Sequence, residues 1–162
     1  DNYIKYFEEK PKIPKSTLVS TALYFYPRDS ISLLRSAVDN GYVDSPGKFI
    51  EYAVGKGRDV YGKVMSGNWI DIGDRKSYLE ANSIALSGNS HISENCEIDE
   101  ECDIGNNVVI GNKCKITDSK IDNSIILPNS TIKSSTVINS VIGANSRISN
   151  KTLREKICEI NW

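Results

Sequence analysis

Residues 88–150 read GNSHISENCEIDEECDIGNNVVIGNKCKITDSKIDNSIILPNSTIKSSTVINSVIGANSRISN, and their aliphatic side chains fall on a ruler. Ile92, Ile98, Ile104, Ile110 and Ile116 are six apart; Ile121, Ile126, Ile132, Val137, Ile142 and Ile148 follow at steps of five or six. Two residues ahead of each mark stands a second series: Ser90, Cys96, Cys102, Val108, Cys114, Ser119, Ser124, Ser130, Ser135, Ser140 and Ser146. Residues two apart on an extended chain face the same side. Each short side of the structure therefore sends one small and one branched side chain inward and then turns. Asn95, Asn107, Asn112, Asn123, Asn129, Asn139 and Asn145 populate the intervening corners. Asn is the non-glycine residue that best tolerates a left-handed backbone.

A side of six residues with a recurring corner is the signature of a parallel β-helix built from hexapeptide repeats. Eleven marks at three sides per coil make three to four coils. In the second half Ile116, Ser119, Asn123, Ser124, Ile126 and Asn129 recur as Ile132, Ser135, Asn139, Ser140, Ile142 and Asn145, a repeat sixteen residues long. Thr152 to Ile160 reads as an amphipathic helix through Leu153, Ile157 and Ile160. With Trp162 it is expected to cap the open end of the β-helix, where unpaired backbone and apolar interior need cover.

The 86 residues ahead of the ruler read as a mixed α+β piece. Tyr3, Ile4, Tyr6 and Phe7 suggest a short strand; Thr17–Tyr26, Asp59–Met65 and Trp69–Ile72 are β-prone. A helix is expected from Asp29 or Ser30 to Asn40-Gly41, another from Ser45-Pro46 to Gly55 or Gly57, and a third from Asp74 or Ser77 onward. Pro11 is expected to hold Lys10 extended. The organisation is thus residues 1–86, 87–150 for the β-helix, and 151–162 for the cap and tail.

Composition narrows the function classes. The 162 residues carry a net charge of −1, with 39% hydrophobic and 25% charged residues. That balance offers no electrostatic case for nucleic acid or an anionic membrane, and no apolar run approaches the ~20 residues of a membrane span. Cys96, Cys102 and Cys114 occupy the small inward slot, where they read as buried hydrophobes rather than metal ligands. Reduced thiols suit the cytoplasm. The sequence starts at Asp1 in what reads as mid-domain, which suggests a partial chain.

Three clusters precede the β-helix: Phe7-Glu8-Glu9-Lys10-Pro11; Ala22-Leu23-Tyr24-Phe25-Tyr26; and Gly67-Asn68-Trp69-Ile70-Asp71-Ile72-Gly73 followed by Tyr78-Leu79-Glu80-Ala81-Asn82. Taken singly, Glu9-Lys10 is an ordinary charged turn before a proline and Asp71 an ordinary turn aspartate. Together, in this order and followed by the repeats, the clusters resemble the C-terminal half of the sugar-1-phosphate nucleotidyltransferases, many of which carry a left-handed β-helix. The resemblance implies synthesis of a nucleotide-sugar from a nucleoside triphosphate and a sugar 1-phosphate, with release of pyrophosphate and with Mg²⁺ as cofactor. It further implies that Glu9 accepts hydrogen bonds from sugar hydroxyls, that Lys10 holds the sugar's phosphate, that Tyr24 lines the sugar pocket, and that Asp71 is a metal ligand. It also implies assembly, often as a trimer, through the β-helix.

Other family features have no match. The family's glycine-rich basic phosphate loop and second metal-binding aspartate find no counterpart, since Gly55-Lys56-Gly57-Arg58 is too short and follows a helix. The chain is therefore expected to hold the sugar side of an active site without the nucleotide side, and to be inactive alone. Two other functions fit a hexapeptide β-helix: acyl transfer, for which His91 is the only histidine available as a base, and a purely structural assembly role.

Overall fold

The computed structural model describes residues 2–158, which fall into two compact units, Asp1–Trp69 and Ile70–Trp162. The second contains helix α3 (Arg75–Leu86) and thirteen short strands stacked into three parallel sheets. The strands are β1 (His91–Ile92), β2 (Glu97–Ile98), β3 (Asp103–Ile104), β4 (Val109–Ile110), β5 (Lys115–Thr117), β6 (Lys120–Asp122), β7 (Ile125–Ile126), β8 (Thr131–Lys133), β9 (Thr136–Ile138), β10 (Val141–Ile142), β11 (Arg147–Ser149), β12 (Thr152–Arg154) and β13 (Ile157–Cys158). The sheets run β1-β4-β7-β10-β13, β11-β8-β5-β2 and β12-β9-β6-β3, so each strand pairs with the third strand along the chain. This is a three-sided parallel β-helix of about four coils.

The ruler is the interior. Ile110, Ile116, Ile121, Ile126, Ile132, Val137 and Ile142 are fully buried, as are Val108, Ser124, Ser130 and Ser140 of the small series. Register places Ile116 on Ile132 and Ile132 on Ile148, so like side chains stack from coil to coil. The first coil is less covered: Ile92 is 44% exposed, and Cys96, Ile98, Cys102 and Ile104 are half-buried.

The inward serines also serve the backbone. Ser124 Oγ donates to Asp122 O at 2.7 Å and accepts the Ser140 N–H at 3.1 Å from the next coil. Ser135 repeats this with Lys133 O and Lys151 N–H, and Ser140 with Ile138 O and Lys156 N–H. Each hydroxyl ties a corner to the coil above it, where no strand ladder reaches. Cys96 and Cys114 fill the same slot and donate to Gly111 O and Leu127 O, at 3.0 and 3.3 Å. Burial pushes the Cys114 thiol above its usual range. All four cysteines are free thiols.

The corners follow a looser rule than the asparagine count suggested. Asn107, Asn123, Asn129, Asn139 and Asn145 have positive φ, but so do Lys113, Asp118, Ser134, Asn150 and Glu155, while Asn95 and Asn112 do not. The turn position requires the conformation, and hydrogen bonding to the coil below, such as Ser134 N–H to Thr117 O at 3.0 Å, compensates residues less suited to it than Asn.

One outward face is apolar. His91, Val109, Ile125, Val141 and Ile157 align on the first sheet, whereas the second presents Glu97, Lys115, Thr131 and Arg147. Leu79 of α3 packs on Ile125 and Val141, flanked by Tyr78, Val109 and Leu127. Polar clamps set the helix along the stack: Arg75 Nη1 donates to Asn139 O at 2.7 Å, and Asn82 Nδ2 to Asn107 O at 2.9 Å. Asp74 and Ser77 close a capping box at its start, and the Ser77 hydrogen bonds hold the Asp74 carboxyl below the usual carboxylate range.

Where a C-terminal helix was expected, the chain makes further coil. Thr152–Arg154 and Ile157–Cys158 are strands, with Leu153 beside Val137 and Cys158 beside Ile142. The ruler simply continues from Ile148 by fives. Leu153 and Ile157, which looked like one helical face, belong to different strands, one half-buried and the other 61% exposed. Cys158 accordingly sits on β13 rather than in a helix. Ile160 and Trp162 lie outside the described residues.

The first unit holds the two helices expected, α1 (Ser30–Asp39) and α2 (Pro46–Gly55), which share a core of Ala37, Phe49, Ile50 and Tyr52. The expected strands are absent among its described residues. Only an isolated antiparallel bridge joins Tyr3 to Tyr61, with Ile4 N–H to Val60 O at 2.8 Å beside it. Leu18, Val19, Leu23, Phe25, Val64 and Met65 are exposed. β-propensity marks residues that suit a pleated surface; it does not supply the neighbouring strand that makes one.

Ser124→Ala is expected to cost about 1–3 kcal/mol, because it leaves the buried Ser140 N–H without its acceptor. The outward Thr131→Ala should change stability by no more than about 0.5 kcal/mol. Parallel urea melts of the two variants check this.

Candidate functional site

Helix α2 is the platform of the site. Ser45, in an extended conformation, caps it by accepting the Gly47 N–H on Oγ at 3.1 Å, and Pro46 occupies the first helical position. Its buried face, Phe49, Ile50, Tyr52 and Ala53, faces Ala37 and is flanked by Phe7, Tyr24 and Tyr42. Packing of Phe7 into this cluster delivers the next turn, Glu8-Glu9-Lys10, to the helix.

The Glu9 carboxylate lies over the first turn of α2. Ser45 Oγ donates to Glu9 Oε1 at 2.6 Å. The other oxygen rests on Gly47 so closely that a Cβ there would be 1.7 Å away. The Glu9 backbone N–H donates to Glu51 Oε2 at 3.3 Å, and Glu51 in turn pairs with Lys48 at 2.9 Å. The positive end of the helix favours a carboxylate in this place. Lys10 follows with φ 50°, left-handed rather than extended as its proline neighbour suggested, and its side chain is exposed. The clamp on Glu9 sets the direction in which the chain leaves the turn, and the local preference ahead of Pro11 yields to it.

Tyr24 is half-buried in the same cluster, stacked on Tyr26 at 5.9 Å, with its hydroxyl 2.7 Å from Ser20 Oγ. Tyr26 meets Phe49 of α2 edge-on at 5.2 Å. Three of the four residues singled out in the sequence thus belong to the first unit, around α2. Asp71 belongs to the second: it is exposed, on an irregular segment shortly before the capping residue Asp74. His91 is exposed on the outward face of β1. A polar groove of about 580 Å³ passes Asp118, Ser134 and Asn150 on the β-helix and contains none of these residues.

Sequence reasoning treated Ser45 as a helix cap alone and passed over Gly47 and Glu51. The available signal was Gly47 itself, since glycine in the first turn of a helix is costly unless something needs the space.

Residues 1–88, more than half of the chain, match the family model described as Nucleotidyl transferase. The chain belongs to that family. Residues 86–159 match a second model, described as GMPPB C-terminal domain, so the two matches meet where α3 passes into the first coil. Curated relatives include a glucose-1-phosphate adenylyltransferase of Thermosipho melanesiensis, 37% identical over 84 residues, covering 51% of this chain and 20% of the relative. Enzymes of the same name from Mycoplasma mobile and Clostridium acetobutylicum are 29% and 33% identical over 96 residues, each match covering 57% of this chain and 25% of the relative. The chain spans a quarter or less of the length of these relatives.

Among the described residues no three His, Cys, Asp or Glu side chains gather into a metal site. Magnesium, however, is usually held by one or two carboxylates, with substrate phosphates and water completing its shell. A single exposed Asp71 fits such a shared site and does not fit an all-protein cage. Calorimetric titration of Mg²⁺ into this chain without nucleotide should therefore show binding on the order of millimolar or weaker.

Proposed function

We propose that this chain forms the sugar-phosphate side, together with the β-helix, of a sugar-1-phosphate nucleotidyltransferase. The observation that carries the reading is the Glu9-Lys10 turn, clamped on α2 within the stretch that matches the family. The names of the relatives, glucose-1-phosphate adenylyltransferases, support a hexose 1-phosphate and a nucleoside triphosphate as substrates.

In this reading an oxygen of the sugar phosphate attacks the α-phosphorus of the triphosphate, and pyrophosphate leaves. Such a transfer depends mainly on holding the two phosphates in line and neutralising charge. Glu9 accepts hydrogen bonds from the sugar's hydroxyls, Tyr24 forms part of the pocket wall, and the exposed Lys10 ammonium holds the sugar's phosphate. Asp71 supplies one oxygen to Mg²⁺, which when bound withdraws charge from phosphoryl oxygens. The residues that grip the triphosphate come from outside those assigned here. We further propose a cytoplasmic setting, consistent with the four free thiols, and assembly, as a trimer, through the β-helix sheets that α3 leaves open.

Pyrophosphate release by the polypeptide that also carries the triphosphate-binding region tests this. Asp71→Ala should lower kcat by about 10²-fold or more with assembly unchanged on size-exclusion chromatography with light scattering. Lys10→Ala should raise KM for the sugar phosphate. Unchanged turnover in Asp71→Ala would remove the metal assignment.

A further inference from the structure

We infer that Ser45 and Gly47 are positioning residues for the Glu9 carboxylate, and that the first turn of α2 is built to aim that carboxylate at a sugar hydroxyl. The inference rests on the reading that Glu9 meets the sugar.

The chemistry of the Ser45 hydroxyl makes the case. It has one proton and gives it to Glu9 Oε1 at 2.6 Å, while its lone pairs accept the Gly47 N–H at 3.1 Å. Capping alone does not require this arrangement. Aspartate caps helices as well as serine does, but it has no proton to donate and would set a second negative charge against Glu9. A serine at 45 thus does something a good cap need not do: it orients an acid.

Gly47 supplies the second half. A Cβ at that position would lie 1.7 Å from Glu9 Oε2 and 2.5 Å from its Cδ, so any side chain there displaces the carboxylate. The carboxylate rests on bare backbone at the first turn of a ten-residue helix.

A third tether completes the aim. The Glu9 N–H is held by Glu51 Oε2 at 3.3 Å, and Lys48 fixes Glu51 at 2.9 Å. The main chain is thus tied at one point and Oε1 at another, which fixes the carboxylate against the helix and leaves acceptor capacity unused. Lys10, the next residue, leaves in a left-handed conformation, φ 50°. Hydroxyl recognition and phosphate recognition are therefore referenced to the same helical turn. A sugar whose hydroxyl sits differently relative to its phosphate would lose one contact or the other, which makes this turn a determinant of sugar choice.

The test is steady-state kinetics of Ser45→Asp, Ser45→Thr and Glu9→Gln in the polypeptide that carries the triphosphate-binding region. The substrates are the best pair from a panel of glucose and mannose 1-phosphates with ATP, GTP, UTP and dTTP. Ser45→Asp keeps the cap and removes the donor. It should raise KM for the sugar phosphate about tenfold, the effect of one lost charge-assisted hydrogen bond, while the triphosphate KM stays near wild type. Ser45→Thr keeps both functions and should stay within about threefold of wild type. In a Glu9→Gln background, Ser45→Asp should add little, because residues that act through one another are not additive. Gly47→Ala should show the Ser45→Asp pattern if it folds. A wild-type sugar-phosphate KM in Ser45→Asp, or equal damage from Ser45→Thr, would overturn the inference and leave Ser45 a cap. Loss of sugar binding in Glu9→Gln alone would then leave the functional reading standing. A wild-type enzyme that turns over no pair in the panel would overturn both.

Discussion

A hydroxyl on the inside of a corner holds the second unit together. In a triangular coil the strands are two or three residues long, so much of the backbone sits in turns that no sheet ladder serves. Ser119, Ser124, Ser135 and Ser140 meet that need from within, each donating to the carbonyl two residues earlier and accepting an N–H from the next coil. The slot is small, which lets the branched ruler residues touch, and at every position but Val108 it is filled by a residue that can donate to the backbone. Serine meets both conditions. Cysteine meets the first fully and the second through a weak donor, as Cys96 and Cys114 do in the early coils.

That stack also explains the position of α3. The first sheet turns a row of aliphatic side chains outward, and Leu79 covers its middle rungs. Arg75 and Asn82 then anchor to carbonyls at corners two coils apart, Asn139 and Asn107. The helix is thereby seated along the stack rather than across it. The segment that carries Asp71 leads straight into this helix, so the rigidity of the coils is transmitted to the start of α3 through packing and two hydrogen bonds.

In the first unit the same principle operates with different atoms. A helix needs its leading N–H groups satisfied, and Ser45 satisfies one. Because a hydroxyl both accepts and donates, the cap extends its influence to Glu9, and the absent side chain of Gly47 leaves room for the carboxylate. A local requirement of helix termination and a candidate binding geometry are thus met by the same few atoms.

The β-helix was legible because its interior repeats: a ruler of five and six with a small residue two places earlier fits a triangular coil and little else. Helices α2 and α3 were legible from their caps, and α1 from its proline and acidic start and its Asn40-Gly41 stop, although Asp29 makes no capping hydrogen bond. The ruler even ran on through Leu153 and Cys158, and was missed there because lysines replace serine at 151 and 156 and because Leu153, Ile157 and Ile160 imitate a helical face. The β-prone segments of the first unit were misread as strands, since pairing depends on a neighbour that no local pattern specifies. Family resemblance, from three short clusters, pointed to Glu9, Lys10, Tyr24 and Asp71 as a group. The sequence by itself thus determined the coil, the helix starts and the family, because each is written in residue type at fixed spacing. Only the tertiary structure decided that Glu9 lies on Gly47 under the hydroxyl of Ser45, because residues 36 positions apart meet through packing of Phe7 beside α2, and no periodicity records such a meeting.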